Sequence, residues 1–299
     1  MTGISTSPLI SIILPTYNRA ALIGETIESI RLQTYTNWEL IIVDDGSDDN
    51  TEEVVAGIGD HRIRFYKAGR IRIGGAVKNI GLEKTTGELI AFIDSDDLWA
   101  PTKLEKQVKA LQQYTEAGFS LSGGYNFREV SVPVEYFYEQ RTGIKYDSIF
   151  ISCFKSEVAS FTQALMMRKD CLEKTGLFTE AGAFSDAEFI VRLAFNFRAV
   201  ILYEPLVYRR LHANNYINDT WESSYYEGIG IIKLYEKNLE PFIVKEALYK
   251  LYINFGESCL KHKEIVKAIR KFLIAWNYKP LSMVPVKKIA KAILRYIKG

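Results

Sequence analysis

With 299 residues, 47% of them apolar and 25% charged, the chain is long enough to bury a core and has the composition of a globular protein. These values exclude a disordered, collagen-like or coiled-coil chain. Three widely spaced cysteines without a CxxC pair argue against a disulfide framework or a zinc ribbon and agree with a reducing cytosol. No apolar run approaches the ~20 residues of a membrane span, and the first residues lack the basic region of a signal peptide.

The net charge of +2 conceals an uneven distribution. From Lys261 onward there are 11 Lys or Arg residues and one acid, Glu264, whereas the rest of the chain has 27 basic and 35 acidic residues. We therefore expect an acidic body with a basic tail that is suited to an anionic surface.

Strand and helix signals alternate through the first part of the chain. Apolar runs rich in β-branched residues predict buried strands at 9–14, 38–43, 63–66 and 88–93, and helical spacing predicts helices at 20–33, around 47–55, at 76–85 and after Pro101. This alternation is typical of an α/β domain with a Rossmann-like, mostly parallel central sheet flanked by helices.

The second half has a mixed pattern. Strands are predicted within 121–134, 161–167 and 200–208, and helices at 185–197 and through 221–278. We expect one domain at 1–218, with a first half at 1–118 and a second at 119–218, followed by a helical C-terminal region at 219–299.

Polar clusters follow three of the predicted strands, and parallel strands bring such clusters to one sheet edge, where ligands bind. They are Pro15-Thr16-Tyr17-Asn18, Asp44-Asp45-Gly46-Ser47 and Asp94-Ser95-Asp96-Asp97. The last has three carboxylates in four residues, which suit Mg²⁺ or Mn²⁺ bound together with a diphosphate. Taken alone, a solvated acidic turn explains this cluster equally well.

Other residues carry weaker signals. Asp44 and Asp45 can accept hydrogen bonds from a base or a ribose, and Tyr17 can stack on a flat base, although a turn and ordinary packing explain them too. The loop RIRIGGAVKNIG, with Arg72, Gly75 and Lys78, favours an anion but lacks the spacing of a dinucleotide fingerprint.

Asp186 opens a predicted helix, and His212 follows a predicted strand. Asp186 is a candidate general base at the mouth of the site, although an acid in the first turn of a helix is also stabilised by the helix dipole. His212 lies beside Arg209 and Arg210, which makes a phosphate or metal role plausible against the usual structural role of a lone histidine.

Three segments covering about residues 8–215 resemble family-two glycosyltransferases of the GT-A fold. They are SIILPTYNRAALIGETIESIRLQTYTNWELIIVDDGSDDNT, GGAVKNIGLEKTTGELIAFIDSDDLWAPTKLEKQV and GLFTEAGAFSDAEFIVRLA. The resemblance implies a nucleotide-sugar donor, a Mn²⁺ or Mg²⁺ cofactor and inversion of the anomeric carbon.

The resemblance also implies residue roles. Pro15, Tyr17 and Asp45 would hold the donor base, with the role of Asp44 less clear; Asp94 and Asp96 match the DxD motif, Lys78 would contact the nucleotide, Asp186 would be the base, and Asp96 and His212 would bind the metal. The full expected donor set is Pro15, Thr16, Tyr17, Asn18, Asp44, Asp45, Arg72, Gly75, Lys78, Asn79, Asp94, Ser95 and Asp96.

One position departs from the family pattern. Ser185 stands where the family has the Glu of its Glu-Asp pair, which affects how an acceptor hydroxyl is oriented and leaves room for Glu188 to share the work. The base, Asp186, is retained.

The implied reaction is a single displacement that moves a sugar, from a UDP-sugar by preference, to a sugar or lipid-linked oligosaccharide acceptor. We expect a hexosyltransferase of bacterial cell-surface polysaccharide synthesis, such as capsule or O-antigen, with no nucleic-acid partner. A metal-dependent nucleotidyltransferase and a non-catalytic nucleotide-sugar-binding protein are the alternatives.

Residues 286–298 form a predicted basic amphipathic helix, with Ile289, Ile293 and Leu294 on the apolar side and lysines on the other. Such a helix can lie on anionic lipid, which predicts a cytoplasmic protein with peripheral contact to the inner face of the cell membrane. Packing on its own domain or on a partner subunit, as in a homo-oligomer, explains the pattern equally well.

Overall fold

The protein is described by a computed structural model that covers residues 4–128, 132–138, 141–180, 185–212 and 221–297. It divides into two compact units, Met1–Phe150 with Ala159–Ala213, and Ile151–Val158 with Asn214–Gly299. The predicted domain boundary at residue 218 lies outside the described residues.

The elements follow the alternation that the sequence predicts. The strands are β1 Ile10–Thr16, β2 Trp38–Asp44, β3 Ile63–Lys67, β4 Leu89–Phe92, β5 Leu98–Trp99, β6 Ala117–Phe127, β7 Pro133–Tyr136, β8 Ile144–Asp147, β9 Leu165–Arg168 and β10 Arg198–Arg210. The helices are α1 Ile23–Arg31, α2 Thr51–Ile58, α3 Gly74–Glu83, α4 Lys103–Gln113, α5 Phe150–Phe154, α6 Leu172–Thr175, α7 Ser185–Asn196, α8 Trp221–Leu234, α9 Pro241–Lys261, α10 Ile265–Tyr278 and α11 Met283–Ile297.

The first unit is built on one sheet with the strand order β3-β2-β1-β4-β9-β6-β10-β5, to which β7 and β8 add at β6 and β10. Strands β3, β2, β1 and β4 are mutually parallel. Strand β9 runs antiparallel to both β4 and β6, so β6 and its parallel neighbour β10 point the same way as β4. The carboxyl ends of β1, β2, β4, β6 and β10 therefore meet at one edge.

Apolar residues on both faces explain why the parallel strands read as continuous hydrophobic runs. Ile12 and Leu14 of β1 pack in one cluster with Ile27 of α1 and Leu104 of α4. On the opposite face, Ile41 and Val43 of β2 pack against Val77 of α3. The predicted α/β layering is thus present, although the half of the sheet beyond β4 is mixed rather than parallel.

One predicted strand begins later than expected. Residues Thr162–Ala164 form a 3₁₀ turn, and the strand β9 covers only Leu165–Arg168. The side chains of Thr162 and Gln163 donate hydrogen bonds to Asp186 of α7 and to Asp94 of the loop after β4. The apolar pattern of 161–167 does not predict these tertiary contacts. Strand β8 and helix α5 were not predicted, because both are short. Strand β8 has four residues with both ends exposed, and α5 has five residues.

The second unit has a core of its own. Phe255 and Cys259 of α9 pack with Ala268, Phe272 and Ala275 of α10. Gly256 allows this approach, since a Cβ added there would lie 2.3 Å from Cε1 of Phe272. Within the part of the chain that the structure describes, no helix is long and apolar enough to span a bilayer.

The first prediction concerns Lys103, which is fully buried in the first unit with Nζ 2.6 Å from Oε1 of Gln107 and 4.0 Å from the ring centroid of Trp99. Burial lowers the pKa of Lys103 well below its usual value. Because the unfolded lysine still binds its proton up to about pH 10.5, the folded state is penalised as the pH falls below that value.

Lys103→Met removes this penalty. We therefore expect the unfolding midpoint of the variant, relative to the wild type, to be higher at pH 7 than at pH 10, by about 2–4 °C for each kcal/mol of difference. Thermal unfolding at the two pH values measures this, with Lys109→Met on the exposed side of α4 as the control. A relative midpoint that does not change with pH would contradict the interpretation.

Candidate active site

The candidate site lies at the sheet edge where the carboxyl ends of β1, β2 and β4 meet, within the first unit. Two loops there are tied together: the backbone N–H of Asn18 donates to Oγ of Ser47 at 2.8 Å, and Ser47 donates to Asp44 at 2.5 Å. Asn18, in the left-handed region at φ 50°, also exchanges hydrogen bonds with Asp48. In this structure Asp44 and Asn18 therefore hold the loop after β2 in place through Ser47 and Asp48.

Asp45 anchors the basic loop that precedes α3. Its carboxylate accepts hydrogen bonds from the guanidinium of Arg70 and from the backbone N–H groups of Ile71, at 2.5 Å, and Arg72, at 3.1–3.2 Å. The guanidinium of Arg70 lies 3.5 Å from the ring centroid of Tyr17. Tyr17, Asp45 and Arg70 together form a polar cluster, hereafter the Tyr17 shelf, in which the guanidinium lies over one face of the ring.

Two carboxylates of the DxD loop, that of the half-buried Asp94 and that of the buried Asp97, lie in surroundings that disfavour their charged forms. Burial, together with the charges of Asp186 and Asp96, raises the pKa of Asp94 to about 6 against the opposing attraction of Lys78. Burial and the neighbouring Asp96 and Asp94 also raise the pKa of Asp97 well above its usual value. Asp97 accepts the backbone N–H of Arg210 at 2.9 Å, whereas its Oδ2 has no hydrogen-bond partner among the described residues.

Asp96 and His212, the two residues expected to bind a metal, lie next to each other. Oδ2 of Asp96 is 2.9 Å from Nε2 of His212 and 3.4 Å from Nε of Arg19. Over the described ranges, no group of three or more His, Cys, Asp or Glu residues is arranged to hold a metal ion. A carboxylate and an imidazole still fit Mn²⁺ as two protein ligands, with phosphate oxygens and water completing the coordination.

Asp186 lies in the first turn of α7 and is ion-paired. Its Oδ1 is 2.5 Å from Nζ of Lys78, and its Oδ2 accepts a hydrogen bond from Thr162 at 2.7 Å. Burial disfavours the charged form of Lys78, but the attraction of Asp186 and Asp94 outweighs it and raises the lysine pKa. Lys78 was expected at the nucleotide, and in this structure it contacts the candidate base.

Several predicted residues have other surroundings. Asn79 donates to the carbonyl of Phe178 and to Glu180, both at 3.0 Å, so its side chain holds the segment before α7 rather than facing the edge. Glu188 accepts from Arg192 at 2.8 Å along its own helix. The side chain of Ser185 lies outside the described residues.

The remaining residues predicted to bind the donor also lie at this edge of the sheet, where a backbone hydrogen bond or their place in an element fixes their position. The carbonyl of Thr16 accepts the N–H of Asp45 at 2.9 Å, and Pro15 precedes it at the end of β1. Gly75 lies in the first turn of α3, and Ser95 is buried within the DxD loop.

Sequence reasoning missed residues that hold the acids in place, namely Arg19, Arg70, Thr162, Gln163 and Arg210. The prediction chose Arg72 rather than Arg70, but Arg72 has a φ of 67° and contacts Asp45 through its backbone N–H. Arg70 lies in the same basic loop before α3, and this position was a signal that could have identified it. Thr162 and Gln163 carried none, since they lie in an apolar run that predicts a strand.

Residues 11–173 match the protein family described as Glycosyl transferase family 2. The chain belongs to glycosyl transferase family 2. This confirms the resemblance on which the expected roles rest, and the match covers the Tyr17 shelf, the DxD loop and Thr162.

Curated and solved relatives agree with this membership. The chain is 41% identical over 103 residues to the Escherichia coli "UDP-Glc:alpha-D-GlcNAc-diphosphoundecaprenol beta-1,3-glucosyltransferase WfgD", which is 34% of this chain and 41% of that protein. It spans about half, or less, of the length of the curated relatives that it matches.

Two solved structures share the fold. S. aureus TarS 1-349 in complex with UDP-GlcNAc has a TM-score of 0.67 at 17% identity, over 95% of this chain and 88% of that one. The Pyrobaculum calidifontis mannosyltransferase PcManGT, in complex with GDP-Man and Mn²⁺, has a TM-score of 0.62 at 18% identity, over 98% and 81%. The predicted GT-A fold with additional C-terminal helices is thus confirmed.

The second prediction follows from the raised pKa of Asp94. In the unfolded chain this group ionises near pH 4, whereas in the folded protein it does so at about 6, so wild-type stability is lost as the pH rises from 4 to 6. Asp94→Asn should therefore raise the unfolding midpoint of the ligand-free protein more at pH 8 than at pH 4.5. Calorimetry at both values checks this, with Asp147→Asn on exposed β8 as the control. An equal shift at both pH values would contradict the raised pKa of Asp94.

Proposed function

We propose that the protein is an inverting glycosyltransferase that moves a sugar from a nucleoside diphosphate sugar to an acceptor hydroxyl. The observation that carries this is one continuous charge network: Lys78 is ion-paired with the candidate base Asp186, and its charge also acts on Asp94 of the DxD loop. A base and a diphosphate-binding loop within one network are what a single displacement needs, because the proton leaves the acceptor on one side of C1 while the diphosphate leaves on the other.

The Tyr17 shelf would receive the base of the donor. A flat ring and a guanidinium offer stacking, and the Asp45 carboxylate and neighbouring backbone groups offer hydrogen bonds. UDP is the favoured nucleotide, supported by the UDP-GlcNAc complex of TarS and the UDP-Glc in the name of WfgD.

Asp96 and His212 would hold a divalent metal together with the diphosphate, and Mn²⁺ is supported by the complex of PcManGT. When bound, such a metal neutralises the charge that develops on the leaving diphosphate. Arg19, 3.4 Å from Asp96, adds positive charge at the same place.

Asp186 would accept the proton of the acceptor hydroxyl as that oxygen bonds to C1 and the C1–O bond to the diphosphate breaks. Its side chain is 32% exposed while that of Lys78 is 6% exposed, so an acceptor can reach the carboxylate from solvent and the ammonium stays behind it.

The acceptor would be a sugar carried on a lipid diphosphate, in the synthesis of a bacterial cell-surface polysaccharide. The support is the diphosphoundecaprenol acceptor in the name of WfgD. A lipid-borne acceptor also gives a role to the basic C-terminal helix.

Helix α11 presents two different apolar surfaces. Pro285 and Ala292 are buried and Ile289 packs on the core of the second unit, whereas Ile293 and Leu294 are 43% and 58% exposed. The side chains of residues 295–298, the end of the predicted 286–298 segment, lie outside the described ones. Lys287 and Lys291 are exposed on the same helix. We infer that this outer apolar strip with its flanking lysines docks on anionic lipid at the cytoplasmic face of the membrane.

The third prediction tests the chemistry. Asp96→Ala should abolish both turnover and the Mn²⁺-dependent binding of UDP. Asp186→Asn should lower kcat by at least about 10²-fold, within the usual range for a lost general base, and leave UDP binding unchanged. UDP release from a panel of UDP-sugars and calorimetry with UDP and Mn²⁺ measure the two effects, with Asp147→Asn as the control. Full activity of Asp186→Asn would overturn the base assignment.

The fourth prediction tests the lipid contact. The full chain should sediment with vesicles of phosphatidylglycerol and phosphatidylcholine but not with phosphatidylcholine alone, and Lys287→Glu/Lys291→Glu should abolish sedimentation. Lys233→Glu/Lys237→Glu changes the net charge equally on exposed residues of the second unit and should leave sedimentation intact. Equal loss in both double variants would show a general charge effect and refute docking through α11.

A further inference from the structure

Thr162 lies between the two charged partners of the site. Its Oγ1 is 2.7 Å from Oδ2 of Asp186 and 3.3 Å from Nζ of Lys78, and the residue is fully buried. It belongs to the 3₁₀ turn Thr162–Ala164, which is separate in the chain from both α3 and α7. Three separate segments thus meet at one hydroxyl group.

The direction of these hydrogen bonds follows from the chemistry of the groups. An ammonium group has donors and no acceptor, so Thr162 must accept from Lys78 through a lone pair. Its single proton is then free to be donated to Asp186. Lys78 contacts Oδ1 of the carboxylate and Thr162 donates to Oδ2, and partners on both oxygens fix the rotation of the carboxylate about its own axis.

The next residue ties the same turn to the donor side. Gln163 donates from Nε2 to Asp94, and its carbonyl accepts from Nε1 of Trp99 at 3.2 Å. Adjacent residues of one buried turn therefore hold the candidate base and the first carboxylate of the DxD loop. The turn thus contacts both carboxylates.

We propose that Thr162 is a positioning residue of the transfer reaction, whose hydroxyl holds the Asp186 carboxylate in the orientation that receives the acceptor proton. The inference rests on the proposed function, since it assumes that Asp186 is the base. Without the hydroxyl, Asp186 keeps its contact with Lys78 but loses the one with Thr162, and the carboxylate can then turn toward the lysine. Misplacement of a reacting group by about 1 Å costs on the order of 10²-fold in rate.

The test compares Thr162→Val, which keeps the shape and removes the hydroxyl, with Thr162→Ser, which restores it. For a donor and acceptor pair that the wild type turns over, Thr162→Val should lower kcat about 10–100-fold, with KM for the donor and the Kd of UDP with Mn²⁺ unchanged. Thr162→Ser should recover most of kcat. Thr85→Val is the matched control and should keep wild-type kcat. Thr85 is a buried threonine between α3 and β4, at the sheet edge away from the site.

The double variant Thr162→Val/Asp186→Asn distinguishes a role of Thr162 through Asp186 from a merely structural role. If Thr162 acts through Asp186, the double variant should be no slower than Asp186→Asn alone. Wild-type kcat in Thr162→Val beside an inactive Asp186→Asn would overturn the role of Thr162 and leave the proposed function intact. An active Asp186→Asn would overturn the base assignment itself, and with it the positioning role. A multiplicative loss in the double variant, or no recovery in Thr162→Ser, would show that Thr162 has a merely structural role.

Discussion

Repulsion among carboxylates at one sheet edge is the constraint on which the rest of the site depends. Removal from water, and then the charges of neighbouring carboxylates, raise the pKa values of the half-buried Asp94 and the buried Asp97, and Asp96 and Asp186 lie in the same group of charges. The protein offsets this repulsion with cations from distant parts of the chain, Lys78 from α3 and Arg19 from the loop after β1. A carboxylate-rich edge of this kind costs folding free energy, and it also preorganises the charge that a metal–diphosphate group would need.

The sheet explains how loops far apart in sequence share this edge. The antiparallel strand β9 between β4 and β6 restores the direction of the later strands, so the DxD loop after β4 and His212 after β10 come to the same side. The 3₁₀ turn before β9 lies between these loops and places hydroxyl and amide donors on Asp186 and Asp94. Rigid strands thus position a site that is built mostly from loops.

The second unit contributes a different property. Its helix α11 uses one part of its apolar side for packing and leaves another part exposed beside lysines. The sequence pattern left lipid docking and protein packing as equal alternatives. The structure shows that part of the apolar side packs within the second unit, and lipid docking of the exposed part is the proposal made above. Membership of glycosyl transferase family 2 and a lipid-borne acceptor would make such a surface useful, because it brings the enzyme to the plane in which its acceptor lies.

The sequence by itself determined the alternating β and α elements and the three polar clusters at strand ends, because hydrophobic periodicity and turn residues are local signals. Through the family pattern it also predicted Asp94, Asp96, Asp186 and His212 as site residues. Only the tertiary structure decided that Lys78 pairs with Asp186, that Arg70 rather than the side chain of Arg72 holds Asp45, and that Thr162 and Gln163 leave the predicted strand. These contacts join residues 24 to 108 positions apart, and no local preference encodes a partner at that distance.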